Sequence, residues 1–384
     1  MKKVYADNAA TTKIAPQVLD AMLPILTGDC GNPSSLHSAG REAAQILAYS
    51  REKVAKLMGV QSREIFFTSG GTESVNWGIR GAAYANKDKG RHIISLPTEH
   101  PATTATLEAL ELQGYEVTLL DVDSEGYVTP QAVKAALRPD TTLVIAMYAN
   151  NEIGTILPID EIAKVTKEAG VTFFCDGVQA AGKVDINLTQ LGVDIFAMSA
   201  HKIHGPKGTG ALYIRRGTRV IDLIEGGGQE RGHRGGTENV AGAVGMAKAL
   251  ELAVQADKTE LRRLTDMLID GVLATIPNSY LTGPRDGRII GHASFVFDFI
   301  EGEGIIFMLD ASGIAASTGS ACSSKELQAS HVLLAIGLPE ERAHGSLRLS
   351  LSTDTTEEDV AYILEVLPKV VQKLREMSPL YNSK

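Results

Sequence analysis

The sequence predicts an α/β fold, with a large domain built on a mainly parallel seven-stranded sheet and a smaller α+β domain beside it. Three observations predict it. From about residue 60 short β-rich runs alternate with longer helical ones. Polar residues suited to chemistry collect just after the apolar runs, where ligands bind in a parallel sheet. Near Ala256 the alternation stops and a charged helical segment begins. The chain has 384 residues, 44% of them hydrophobic and 22% charged, which suffices for a large core and leaves room for a second.

In chain order, the strand signals are "EIFFTSG", "RHIISLP", "YEVTLLDV", "TLVIAMYA", "VTFFCD", "VDIFAMS" and "GALYIRR". Between them, "TTATLEALELQG" and "IDEIAKVTKEAG" place apolar residues at helical spacing and close on glycine at the C-terminal stop position. Beyond Ala256 come the helical "DKTELRRLTDMLIDGVLATI", the short strands "HASFVFDF" and "SLRLSLS", and a last helix "EEDVAYILEVLPKVVQKLREM". The expected division is a large domain over residues 15–255 and a small one over 1–14 and 256–384. "ASTGSACSSKELQAS" is rich in small and polar residues and reads as an exposed loop.

Composition narrows the partners. The net charge is −9 and no basic cluster exceeds two arginines, so a nucleic-acid backbone has little to hold. No apolar run approaches the length of a membrane span, and "MKKVYADNAATT" lacks the apolar core of a signal peptide. A cytoplasmic protein without membrane contact is the expectation. The three cysteines, Cys30, Cys175 and Cys322, are far apart with no CxxC pair, which argues against a disulfide framework and a cysteine-held zinc. No metal is expected.

Five strand ends carry polar groups. Ser69-Gly70-Gly71-Thr72-Glu73 follows the first run; glycines before a helix start would present N–H groups to a phosphate, though an ordinary N-cap has the same appearance. Glu99-His100-Pro101 and Asn150-Asn151-Glu152 follow the second and fourth, Asp176 and Gln179 the fifth, and His201-Lys202 the sixth. Taken singly, each could be a cap or a satisfied hydrogen-bonding group. Together they suit pyridoxal phosphate: a partly desolvated lysine attacks an aldehyde as the free amine, a carboxylate holds a pyridine nitrogen protonated, and a glycine-led helix start receives the phosphate.

The motifs "YADNAATT", "NPSSLHSAGR", "FTSGGTESVN", "TEHPA", "NNEIGT", "CDGVQAAGK", "SAHKIHGPKG", "RGGTENV" and "TGSACSS" resemble the NifS-like cysteine desulfurases, members of the class V aminotransferase family that depend on pyridoxal 5'-phosphate. The likeness runs from Tyr5 to about Ser352. It implies the fold type I architecture of such transferases, a homodimer, and conversion of L-cysteine to L-alanine with the sulfur left as an enzyme persulfide for a sulfur-acceptor or iron-sulfur scaffold protein.

Position by position, the resemblance makes Lys202 the Schiff-base lysine and Asp176 the partner of the pyridine nitrogen. His100 would stack on the ring and move protons on the substrate thiol; Gln179 would contact the ring oxygen; Asn151 would lie near that oxygen and the substrate carboxylate. Phosphate contacts fall on Gly71, Thr72, Ser199 and His201, with Thr237 reaching in from the other subunit. Arg348 matches the arginine that receives the substrate carboxylate, where a planar fork suits a planar acceptor.

Cys175 and Cys30 read as small buried hydrophobes. Cys322 differs: its neighbours Gly319, Ser320, Ala321, Ser323 and Ser324 offer nothing apolar to bury it, so its thiol is exposed and available as the persulfide carrier. An aminotransferase has no use for that second nucleophile. A dinucleotide-binding dehydrogenase would want G-x-G-x-x-G, which "SGGTES" lacks. Selenocysteine lyase and cysteine sulfinate desulfinase remain rivals on the same fold. His37 and His204 read equally as turn residues or as outer groups of the site.

Overall fold

The structure, a computed structural model, describes residues 2–28, 31–319 and 329–382. Twelve strands occur among them. In chain order these are β1 (Val4–Tyr5), β2 (Ile65–Thr68), β3 (His92–Ser95), β4 (Glu116–Leu119), β5 (Thr141–Met147), β6 (Thr172–Asp176), β7 (Ile195–Ser199), β8 (Gly210–Ile214), β9 (Ser279–Leu281), β10 (His292–Phe297), β11 (Ile314–Ala315) and β12 (Ser346–Ser350).

The seven runs named from the sequence form one sheet, in the order β2-β8-β7-β6-β5-β3-β4. β8 runs antiparallel to both its neighbours, and every other pairing is parallel. All seven residues of β5 are buried, as expected for a strand covered on both faces. Alternation divides the apolar residues between two layers. Phe173, Val144 and Ile94 join one layer with Val18, Val54, Met246 and Leu250. Phe174, Ile145 and Ile93 face the other, with Val75, Trp77, Ile79 and Leu107.

The crossover helices carry their own start and stop signals. Pro101–Glu111 has proline in its first turn and is capped by His100, whose Nδ1 accepts from Ala102 N at 3.0 Å. Ile159–Ala169 ends on Gly170 at φ +67, a conformation that favours glycine. Three further helices, Pro16–Thr27, Ser38–Leu57 and Val240–Gln255, lie outside the runs named above; Met22, Val54 and Met246 seat them in the first layer.

A second core gathers around the antiparallel sheet β12-β10-β9. Phe295, Phe297, Leu347 and Leu349 pack there against Leu264, Leu268 and Val272 of helix Thr259–Thr275 and Val360, Ile363 and Leu367 of helix Glu357–Met377. Val4 and Ala6 belong to this core, because β1 pairs parallel with β11 and Asn8 Nδ2 donates to Ser350 O at 2.7 Å. The N-terminus then returns to the large sheet, where Thr12 Oγ1 donates to His201 O at 2.9 Å. No helix among the described residues is long and apolar enough to cross a membrane.

Candidate active site

The carboxyl ends of β2 and β7 make a cradle. After β2 the chain passes Gly70 at φ +153 and enters helix Gly71–Asn86, whose start no side chain caps. Gly71 is needed for closeness: a Cβ there would lie 2.9 Å from Val178 Cγ2. Ser199 ends β7, and its buried hydroxyl has no hydrogen-bond partner. With Thr11, Thr72, His201 and Lys207 these residues line a cavity of about 390 Å³. Burial first, then the charges of Lys202 and Lys207, push His201 down to about 4, so its imidazole is neutral near pH 7. Helix N–H groups, an idle hydroxyl and a lysine are a donor set for a multiply charged anion.

Lys202 follows directly, at the end of the turn Ala200–Lys202. Its ammonium donates to Ala9 O and Ala10 O, both at 2.7 Å. Those two carbonyls belong to the N-terminal segment that Thr12 ties down, so a residue two hundred positions away shapes the lysine's seat. Gln179 reaches the same place, its Nε2 donating to Ala9 O at 2.9 Å.

Asp176 closes β6, buried, with Oδ1 accepting from Val178 N at 2.9 Å. Burial raises its pKa, while His100 and Lys202 favour its charged form. Glu99 lies close enough to interact with it; burial, then the charge of Asp176, pushes Glu99 up to about 8. Its Oε1 accepts from Met147 N at 2.7 Å, and no cation offsets its charge. Of the two carboxyls, Glu99 is the one burial pushes up to about 8, and Asp176 is the one faced by the charges of His100 and Lys202. Burial also lowers His100, helped by Lys202 and His331. Because Nδ1 of His100 accepts from Ala102 N, its neutral form carries the proton on Nε2.

A second cluster lies where the small sheet meets the large one. The Arg348 side chain, in β12, is only 3% exposed. Nη2 donates to Asp7 Oδ1 at 3.0 Å and Nη1 to Asn151 O at 2.9 Å, while Nε has no partner. Asn151 is thus engaged through its carbonyl, which also accepts from His292 Nε2 at 3.2 Å. Glu152, buried, accepts from Ser330 Oγ, and its carboxylate leaves no room for a side chain at Gly319, where a Cβ would lie 2.6 Å from Oε2. The segment with Cys322 begins and ends on these two residues; Cys322 itself, like Cys30, lies outside the described residues.

The other predicted residues fall as follows. Thr237 is exposed, ahead of helix Val240–Gln255, and does not line the cradle. Cys175 is buried in β6, its thiol pushed well above the usual range chiefly by burial, as a small core residue should be. His37 caps helix Ser38–Leu57, accepting from Gly40 N at 3.2 Å. His204, at φ +62, places Nδ1 3.0 Å from Lys13 O. The residues that lie inside quoted motifs but had no role assigned from the sequence are Asp7, Ala9, Ala10, Thr11 and Lys207. Lys183 is one more, although its i+4 spacing from Gln179 could have flagged it.

A lysine after a strand end, a buried carboxylate at the end of the neighbouring strand and an anion cradle between the ends of β2 and β7 define an α/β enzyme of the transferase kind, its site at the carboxyl edge of the sheet. The comparisons name the family. The aminotransferase class-V family model matches residues 4–363. A "Cysteine desulfurase IscS" of Clostridium botulinum is 51% identical over 99% of this chain and 97% of its own length. One from Methanosarcina thermophila is 50% identical over 99% and 94%. A solved structure titled "NIFS-LIKE PROTEIN" superposes with TM-score 0.91 at 38% identity, over 97% of this chain and all of that one. The chain belongs to the class-V aminotransferase family, among its NifS-like cysteine desulfurases.

Proposed function

We propose that the protein is a pyridoxal-phosphate-dependent cysteine desulfurase, converting L-cysteine to L-alanine and leaving the sulfur as a persulfide on Cys322. The observation that carries it is the juxtaposition, at one sheet edge, of Lys202 with the uncapped start of helix Gly71–Asn86 and the partnerless hydroxyl of Ser199.

The residues fit the cofactor. Gly71, Thr72, Ser199 and His201 would hold its phosphate, Asp176 its ring nitrogen, His100 its ring face and Gln179 its ring oxygen, with Lys202 at the aldehyde. Thr237, exposed on one protomer, would complete the phosphate site of the other in a homodimer. When bound, the cofactor supplies an electron sink for the pair released at the substrate carbon.

The chain supplies the rest. Arg348 offers its guanidinium to the substrate carboxylate, beside Asn151. Lys202, freed as an amine, takes the proton from the substrate Cα. His100 exchanges a proton with the substrate thiol at Nε2. The Cys322 thiolate then forms an S–S bond with the substrate sulfur as the Cβ–S bond breaks; the electron pair stays with the carbon fragment, which gains protons and leaves as alanine. A sulfur-acceptor or iron-sulfur scaffold protein takes the terminal sulfur, in the cytoplasm. The core around β12-β10-β9 draws on residues of 1–14 and 256–384, and the layers of the large sheet on residues of 15–255 with Ile289 added, which supports that division into two domains.

The test is simultaneous measurement of alanine and sulfide from L-cysteine and a thiol reductant. Equal amounts are expected; a keto acid without matching alanine would move the protein to transamination. Cys322→Ala should keep its cofactor and lose sulfide release by roughly 100-fold or more, the scale on which a lost nucleophile acts.

A further inference from the structure

Lys183 stands four residues after Gln179 in the turns that follow β6, and its ammonium donates to Gln179 Oε1 at 2.9 Å. It lines a cavity of about 460 Å³ together with Asn8, Gln179, Lys202 and His292. The charges acting on it are those of Lys202 and Arg348, both cations, and with burial ahead of them they push Lys183 down to about 7. A lysine placed among other cations costs stability unless something uses it. The group that uses it is the Gln179 amide.

A primary amide has a donor end and an acceptor end of nearly the same shape. As an ammonium Lys183 has donors and no acceptor, so it claims the oxygen. The nitrogen must then face the other way, and Nε2 does so, donating to Ala9 O at 2.9 Å. Lys202 Nζ shares that acceptor at 2.7 Å. The donor edge of Gln179 and the amine of Lys202 thus converge on one point. A flipped amide would set its NH₂ against the lysine's N–H groups, donor against donor.

We propose that Lys183 is a positioning residue that locks Gln179 with its N–H edge toward Lys202, so that the ring oxygen of the bound cofactor meets a donor instead of a second acceptor. The inference rests on the cofactor reading above. A donor stabilises that oxygen as an anion and lowers its proton affinity; a freely flipping amide does so only part of the time.

The readout is the pH midpoint of the bound cofactor's visible absorbance, taken without substrate. Lys183→Met should raise the midpoint by about one pH unit, a tenfold change in proton affinity. In a Gln179→Ala background the same substitution should move it by less than a third as much, because Lys183 acts through that amide. An unchanged midpoint in Lys183→Met overturns the proposal. So do equal shifts in both backgrounds, which would mean that the lysine acts by its charge alone. Should Lys183→Met fail to fold, Lys183→Arg serves: a retained donor keeps the wild-type midpoint, and a shifted one counts against the proposal. A wild-type protein that takes up no cofactor at all defeats the cofactor reading itself, and this inference with it.

Discussion

The cradle and the Arg348 cluster are the two ends of the proposed site, and they are built on opposite principles. The cradle is made from two short runs of neighbouring residues, one after β2 and one at the end of β7, and it is electrically incomplete: a helix start no side chain caps, a buried hydroxyl without a partner, a nearby lysine. The Arg348 end joins residues more than three hundred positions apart, and its charge is already met by Asp7. An anion entering the cradle finds donors waiting. A carboxylate arriving at Arg348 finds another carboxylate already there and must use the idle Nε or displace Asp7. The first arrangement suits a group bound once and kept; the second suits one that comes and goes with each turnover.

The largest effect should come where the cradle meets the chemistry. On the proposed chemistry Lys202→Ala removes both the covalent anchor and the base at the substrate Cα, and alanine formation at saturating cysteine and cofactor should fall by at least about 1000-fold. A variant within tenfold of wild type would break the comparison, because the reaction would no longer belong to the cradle.

Next in size is the other end. Asp7→Ala leaves the Arg348 guanidinium, nearly enclosed, without its counter-charge. Losing one partner of a buried pair is costly, and with Asp7 partly exposed the unfolding free energy should drop by about 2 kcal/mol. Urea denaturation reads this directly, and an unchanged midpoint would mean that Asp7 does not hold the arginine. The KM for cysteine should change more than kcat, since the substrate carboxylate meets a reoriented fork.

The same contrast explains what could be read from the sequence. Six of the seven strands of the large sheet were legible because a strand that is largely buried is a continuous apolar run, and the polar residues after it stand out; the exposed edge strand β4 was legible from its β-rich composition. Ser199, His201, Lys202, Asp176 and Gln179 all sit where such runs end. The Arg348–Asp7 pair was not legible: Arg348 is one cation in a short alternating strand, and it is the parallel bridge between Asp7 and Ser350, two residues past the arginine, that brings the two together. The seat of Lys202 was legible only as part of the motif "YADNAATT", not as a seat, since it consists of the carbonyls of Ala9 and Ala10, which no side chain advertises. Local geometry is written in residue types, whereas contacts between distant backbone segments appear only in the fold.

The smallest effect is the sharpest test of incompleteness. Ser199 buries a hydroxyl that bonds to nothing, so Ser199→Ala removes a desolvated polar group at no loss of contact. In cofactor-free protein this should be neutral or stabilising by up to about 1 kcal/mol. With cofactor bound, the same change deletes a donor to a charged phosphate, a bond of about 1.5 kcal/mol, and affinity should weaken by about tenfold. The melting temperatures of the two forms should therefore move apart: the cofactor-free form holds or rises, and the loaded form falls. If both fell together, the hydroxyl would be holding the fold and the cradle would be complete without a ligand. If neither moved, the anion would be bound by the helix start alone, and the end of β7 would contribute its lysine and nothing more.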